Sequence, residues 1–128
     1  MTFAPQALAD WDAAPEIEIE TSRGDGAPIH RTTIWIVVDG DSAYVRSVRG
    51  PAGRWYRELV ANPRGAVHLA GKRVAVRAVP ATDDATVERV SEAIDRKYRE
   101  RWAGPTAAML RPETLPTTMR LEAEPAAA

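Results

Sequence analysis

The run EIEIETSRGDGAPIHRTTIWIVVDGDSAYVRSV, residues 16–48, decides the fold class. Its opening residues alternate, with Ile17, Ile19 and Thr21 on one face and Glu16, Glu18 and Glu20 on the other. That is the period of a strand with one wet face. GDGAP follows, where Gly24 and Gly26 can take positive φ, so the chain turns. Ile29 to Val38 then reads as one strand. Its second half is apolar on both faces and β-branched, as a central strand requires. Asp39-Gly40-Asp41 turns the chain again into SAYVRSV, a third strand. Turns this short join antiparallel neighbours, because a parallel crossover needs roughly a dozen residues or more.

Outward from this meander the same rules apply. Toward the N-terminus, PQALADWDA predicts a short helix in which Leu8 and Trp11 pack down together and Pro15 stops the chain. Residues 1–14 are therefore expected to form a terminal arm. Toward the C-terminus, RGPAG is a loop. RWYRELVAN has helical spacing, Trp55 with Leu59 and Tyr56 with Val60, and ends at Asn62-Pro63. GAVHLA and KRVAVRAVP predict two strands joined tightly at Ala70-Gly71. A helix is predicted over Asp84–Trp102, capped by Thr82 or Asp83, with Val87, Val90, Ile94, Tyr98 and Trp102 as its core stripe. Gly104–Pro116 reads as irregular and TTMRLEAE as the last strand. The order β-β-β-α-β-β-α-β predicts a mainly β, α+β molecule: a six-stranded antiparallel barrel with two packed helices. Residues 15–124 form its single domain, and residues 125–128 are expected to be a loose tail.

The chain has 128 residues, enough for one core but not for two domains with a cleft between them. A ligand of cofactor size then calls for a second copy to cover it, so a homodimer is expected. There is no cysteine, which removes disulfides, thiolate metal sites and cysteine nucleophiles. No apolar run approaches the roughly 20 residues that span a bilayer. MTFAPQALADWDAA lacks the basic start and apolar middle of a secretory signal, so a cytoplasmic protein is expected, with no membrane partner. Arginine outnumbers lysine 15 to 2 and alanine is abundant, a bias of GC-rich bacterial genomes.

The net charge of −1 conceals a block pattern. Residues 1–45 carry eight acids and two bases, residues 46–77 one acid and eight bases, and residues 78–128 nine acids and seven bases. A basic block in an acidic chain points to an anionic ligand, or to arginines paired with acids elsewhere. The block is densest at VRSVRGPAGRWYRELVANP, Val45–Pro63. Arg46, Ser47, Arg49 and Gly50 line the end of a strand and its loop, and Gly53 and Arg54 open a helix. Guanidinium forks, a hydroxyl and a helix N-terminus are what a phosphate group needs. Arg31, Thr32 and Thr33 could add donors from the neighbouring strand, and Trp35 or Trp55 could wall the ligand.

Other chemistries find little support. His30 and His68 share no metal-ligand spacing. There is no GxSxG elbow, no Walker loop and no GxGxxG. Nothing pairs two carboxylates as a hydrolase would. A nucleic-acid partner is not expected, because the isoelectric point near 6.1 is low for one, although Trp55 and Tyr56 interleave the basic block.

Ser47, Gly50, Trp55, Tyr56, Leu59, Ala61, Asn62 and Pro63, followed by a hairpin ending in VRAVP, resemble the FMN-binding split β-barrel superfamily. The pattern is most similar to its deazaflavin-dependent nitroreductase-like branch and to relatives known as domains of unknown function. It is more distantly similar to the pyridoxamine 5′-phosphate oxidase branch. The resemblance covers about residues 22–80. It implies a six-stranded split barrel, a homodimer, and a cofactor, deazaflavin (coenzyme F-420) or FMN, in an interface groove. It further implies phosphate contacts from Arg23, Gly26, Arg31 and Thr32, and from Arg46, Ser47, Arg49, Gly50, Arg54 and Trp55. The chain departs from the branch at Val48, Arg49 and Thr33 and carries an acid, Asp25, in the first loop. The function so implied is hydride transfer to a small organic substrate. Outside the resemblance, the arm around Trp11 and Gly104–Pro116 are expected to contribute to the wall of the site. The alternative is a split barrel that holds haem or a natural-product intermediate without redox turnover, in which His30 or His68 would serve as axial ligand.

Overall fold

Residues 2–124 are described by a computed structural model. The expectation for residues 125–128 lies outside them. The chain forms α1 (Pro5–Ala13), β1 (Ile17–Ser22), β2 (Ile29–Ile34), β3 (Val37–Asp39), β4 (Ser42–Val45), α2 (Arg54–Ala61), β5 (Arg64–Leu69), β6 (Lys72–Pro80), α3 (Asp84–Tyr98), α4 (Ala103–Met109) and β7 (Met119–Ala123). Two 3-10 helices, Gly50–Ala52 and Pro112–Thr117, sit before α2 and before β7. No helix among the described residues is long and apolar enough to cross a membrane.

All strands join one antiparallel sheet in the order β2-β1-β5-β6-β7-β4-β3. Ile17 and Ile19 of β1, Val67 of β5, Val76 of β6, Leu121 of β7 and Val45 of β4 share one core, so the sheet curls its inner face around it. Phe3, Leu8 and Trp11 enter the same core from the N-terminal arm, and Trp55 and Leu59 enter from α2. On the outer face of β3 and β4, Val37 and Tyr44 meet Val90, Ile94 and Tyr98 of α3.

The antiparallel α+β class and the alternation of β1 are as expected, with Ile17, Ile19 and Thr21 all buried. Asp83 is the cap of α3, accepting from the Thr86 amide at 3.1 Å. Three expectations need correcting. Among the described residues there are seven strands, not six, because Ile29–Val38 breaks at Trp35-Ile36 and its halves become the two opposite edges of the sheet. Side chains of α3 hold that break open. Ile36 O accepts from Lys97 Nζ at 2.7 Å, and Ile36 N donates to the Tyr98 hydroxyl at 3.4 Å. Among the described residues there are four α-helices: α1 of the arm and the two packed helices α2 and α3 are as expected, and α4 is additional. The helix expected over Asp84–Trp102 stops at Tyr98, and α4 occupies part of the stretch read as irregular. Lastly, the strand read as SAYVRSV ends at Val45, where the following residues turn away into the corner described next.

Candidate functional site

The corner between β4 and α2 is held by one local bond and one from a residue distant in sequence. Ser47 N donates to Thr117 Oγ1 at 2.9 Å, and Ser47 Oγ donates to Gly50 O at 2.8 Å. Gly50 sits at φ +63, pressed on the backbone of Glu113, so it is the residue that lets the loop fold flat. Gly53 is the N-cap of α2 and offers no side chain to its first-turn amides. A cavity of about 670 Å³ opens at this corner. Thr32, Thr33, Ile34 and Trp35 close one side, and Pro105 and Met109 of α4 another.

Of the residues expected to hold an anion, Thr32, Arg46, Ser47, Arg49, Arg54 and Trp55 line this cavity together. The others do not. Arg31 lies on the outer face and donates to Glu18 Oε1 at 2.7 Å. Arg23 is exposed in the β1–β2 turn, and Gly26 borders a separate groove with Ser22, Asn62 and Arg73. Gly50 is buried under Glu113 rather than facing the cavity. Trp11 is in the core, whereas Pro105 and Met109, from the stretch expected to form the wall, do form it. Glu16, Ile34 and Val48 are lining residues that sequence reasoning missed; Glu16 reads as one more member of a solvated strand face.

The three arginines differ in kind. Arg46 is only 2% exposed. Its guanidinium donates to Thr118 Oγ1 at 2.9 Å, Ser91 Oγ at 3.0 Å, Val87 O at 3.2 Å and Met109 O at 3.4 Å. None of these acceptors is a carboxylate. Burial pushes its pKa down to about 10, so it stays charged at neutral pH. Arg49 and Arg54 are exposed at the cavity rim. Among the described residues, none of the three is ion-paired with an acid. Thr32 adds a buried hydroxyl with no hydrogen-bond partner. A cavity lined by three arginines outside any salt bridge and by an unused hydroxyl suits an anionic, hydrogen-bonding ligand.

The histidines are committed elsewhere. His30 Nδ1 lies 2.9 Å from Glu58 Oε2, and His68 Nε2 lies 2.7 Å from Glu20 Oε1. Neither ring lines the cavity. Glu58 is 3% exposed. Burial acts against its charge, but the Thr21 hydroxyl at 2.7 Å and the His30 ring outweigh it and hold the carboxyl below its ordinary value. No group of acids and histidines among the described residues could hold a metal ion.

A family model described as an uncharacterized protein conserved in bacteria, DUF2255, matches residues 7–121. This chain belongs to that family. No curated protein matches it. Among solved structures, the haem storage protein HutZ from Vibrio cholerae superposes with a TM-score of 0.65 at 12% identity, over 98% of this chain and 92% of that one. A putative pyridoxamine 5′-phosphate oxidase from Listeria innocua gives 0.62 at 19% identity, over 95% and 92%. An F420-H2 dependent reductase, FDR-A, gives 0.63 at 15% identity, over 84% and 94%. At these identities the likeness is one of fold: the DUF2255 chain shares the split-barrel fold of flavin-reductase-like and pyridoxamine-oxidase-like proteins.

Proposed function

We propose that the cavity at the β4–α2 corner holds the phosphate end of deazaflavin (coenzyme F-420) or FMN, and that the protein is a reductase or oxidase of a small organic molecule. The observation that carries this reading is the set of Arg46, Arg49 and Arg54 around one cavity, none of them in a salt bridge among the described residues. Arg49 and Arg54 have free guanidinium groups for direct contacts. Arg46 contributes its buried charge, and Thr32 its unpartnered hydroxyl. Trp55, 7% exposed, forms part of the wall. The cofactor supplies hydride transfer when bound; the chain binds and orients it and keeps water from its inner face. This division of labour agrees with the lack of any acid–base pair in the cavity beyond Glu16. A homodimer that covers the open side of the cavity is part of the proposal. The solved structures it resembles include a haem storage protein, but among the described residues the cavity is lined by the Met109 thioether and by no imidazole, which favours the flavin reading over haem.

Fluorescence titration with deazaflavin and FMN separately tests this. The expected result is micromolar binding of one of them, weakened at least about tenfold in Arg49→Ala/Arg54→Ala, since each charge-assisted contact is worth about 1.5–3 kcal/mol. Absence of binding by both would overturn it.

A further inference from the structure

Trp35, Arg46 and Met109 line two spaces at once. One is the cavity of about 670 Å³ at the β4–α2 corner. The other is a small void of about 10 Å³, completed by Val37, Tyr44, Val45 and Ile94 where β3 and β4 pack on α3. The shared residues therefore stand between the cavity and the core. Two of them are fixed as side chains. Arg46 is held by its bonds to Thr118, Ser91, Val87 and Met109. Trp35 stacks on Tyr98 with ring centroids 3.8 Å apart and planes 9° from parallel.

Met109 is fixed by its main chain instead. It is the last residue of α4, and its carbonyl oxygen accepts from Thr114 Oγ1 at 2.7 Å and from Arg46 Nη1 at 3.4 Å. Those bonds do not depend on what side chain the residue carries. The residue is 7% exposed, and a thioether on an unbranched, freely rotating stem fills space without directional bonds. The void beside it leaves the stem room to shift. Ile34, Val48, Trp55 and Pro105 continue the apolar lining. An anion held by Arg49 and Arg54 lays its apolar part against this lining, and Met109 is the member whose size can change without releasing a hydrogen bond.

We propose that the Met109 side chain is the specificity-determining wall of this cavity, setting how large an apolar group a bound organic anion can carry. The proposal rests on the cavity being the working site of the reading above and names the residue that limits what enters it. Shortening Met109 joins the small void to the cavity and admits a larger group. A side chain of equal volume leaves the limit where it is.

The test uses the purified protein and two probes of equal charge, phenyl phosphate and 2-naphthyl phosphate, titrated by calorimetry. In Met109→Ala the ratio of naphthyl to phenyl affinity is expected to rise about tenfold, the scale on which pocket size discriminates apolar groups. Met109→Val should raise it by less, and Met109→Leu, of nearly equal volume, should leave it within about twofold. Circular dichroism checks that each variant folds; if Met109→Ala does not, Met109→Val carries the test. A ratio that neither truncation moves, an equal change in Met109→Leu, or no binding of either probe to the wild-type protein would overturn the proposal. Arg49→Ala/Arg54→Ala is expected to weaken both probes alike and leave the ratio as it is, which places the phosphate at those arginines. Absence of FMN and deazaflavin binding beside a ratio that follows Met109 counts against the flavin reading alone. Cofactor binding beside a ratio indifferent to Met109 counts against the size limit alone.

Discussion

Arg46 and Arg49 stand three residues apart in one basic run and have opposite fates. Both read as anion ligands, because a sequence shows residue types and not their partners. The structure commits four of the five N–H donors of Arg46 to Thr118, Ser91, Val87 and Met109, tying the end of β4 to α3, α4 and the residue before β7. Arg46→Ala is therefore expected to destabilise the protein by about 2–4 kcal/mol, because it strands buried acceptors. Arg49→Ala, at an exposed site, should change stability by less than about 0.5 kcal/mol. Urea unfolding separates the two; equal losses would show that Arg46 is not the clamp. Glu20 illustrates the same limit. In the sequence it is one of three alternating acids, yet in the fold it accepts from Arg73 at 3.0 and 3.1 Å and contacts His68. The Arg73 bonds, opposed by burial and aided by His68, bring its pKa from 4.5 to about 2. A carboxylate whose folded pKa is depressed stabilises the fold above its unfolded pKa and loses that contribution as pH falls toward the folded one. Stability should thus decline between about pH 4.5 and pH 2, and Glu20→Gln should flatten that limb in urea midpoints measured across the range.

The elements were legible where their cause is local. Alternation located β1, the Ala70-Gly71 turn located the β5–β6 hairpin with φ values of +51 and +79, and Asp83 located the start of α3. The break between β2 and β3 was not legible. Ile29–Val38 has strong strand propensity throughout, and what interrupts it lies about sixty residues away. Tyr98 is the fastener: its hydroxyl lies 2.8 Å from Pro15 O and 3.2 Å from Ile36 O and accepts from Ile36 N. Tyr98→Phe keeps the ring stack on Trp35 and removes only these bonds. It should cost about 1–3 kcal/mol, the penalty for buried backbone groups left unpaired. A loss near zero in denaturant unfolding would mean that the break is set by the backbone alone. The β4–α2 corner is sensitive in a different way. A Cβ added at Gly53 would collide with Ser47 Oγ and push it off Gly50 O. Gly53→Ala is expected to cost about 1–3 kcal/mol by overpacking and to weaken cofactor binding, read by urea unfolding and by the fluorescence titration.

At the scale of the whole molecule, the curled sheet brings residues far apart in sequence to one cavity. Curling brings β2 alongside the end of β4, so Thr32 from the acidic first third meets Arg46, Arg49 and Arg54 from the basic block. The basic block of the sequence pointed to the arginines that line this cavity and gave no sign of Glu16, which lines it too. A ligand gripped by these parts binds the folded state alone, since the unfolded chain separates them. At a ligand concentration about 100 times its dissociation constant, linkage adds about 2.7 kcal/mol to stability. For a chain of this size that is a rise in Tm of about 10 °C. The increment should shrink with added salt, because Arg49 and Arg54 are exposed and their attraction is screened over a Debye length of about 8–10 Å near physiological ionic strength. Thermal unfolding with deazaflavin or FMN at low and high salt measures both effects. A ligand-induced rise that salt leaves unchanged would mean that the rim arginines do not supply the attraction, and would shift the grip to Arg46 and the cavity's apolar wall.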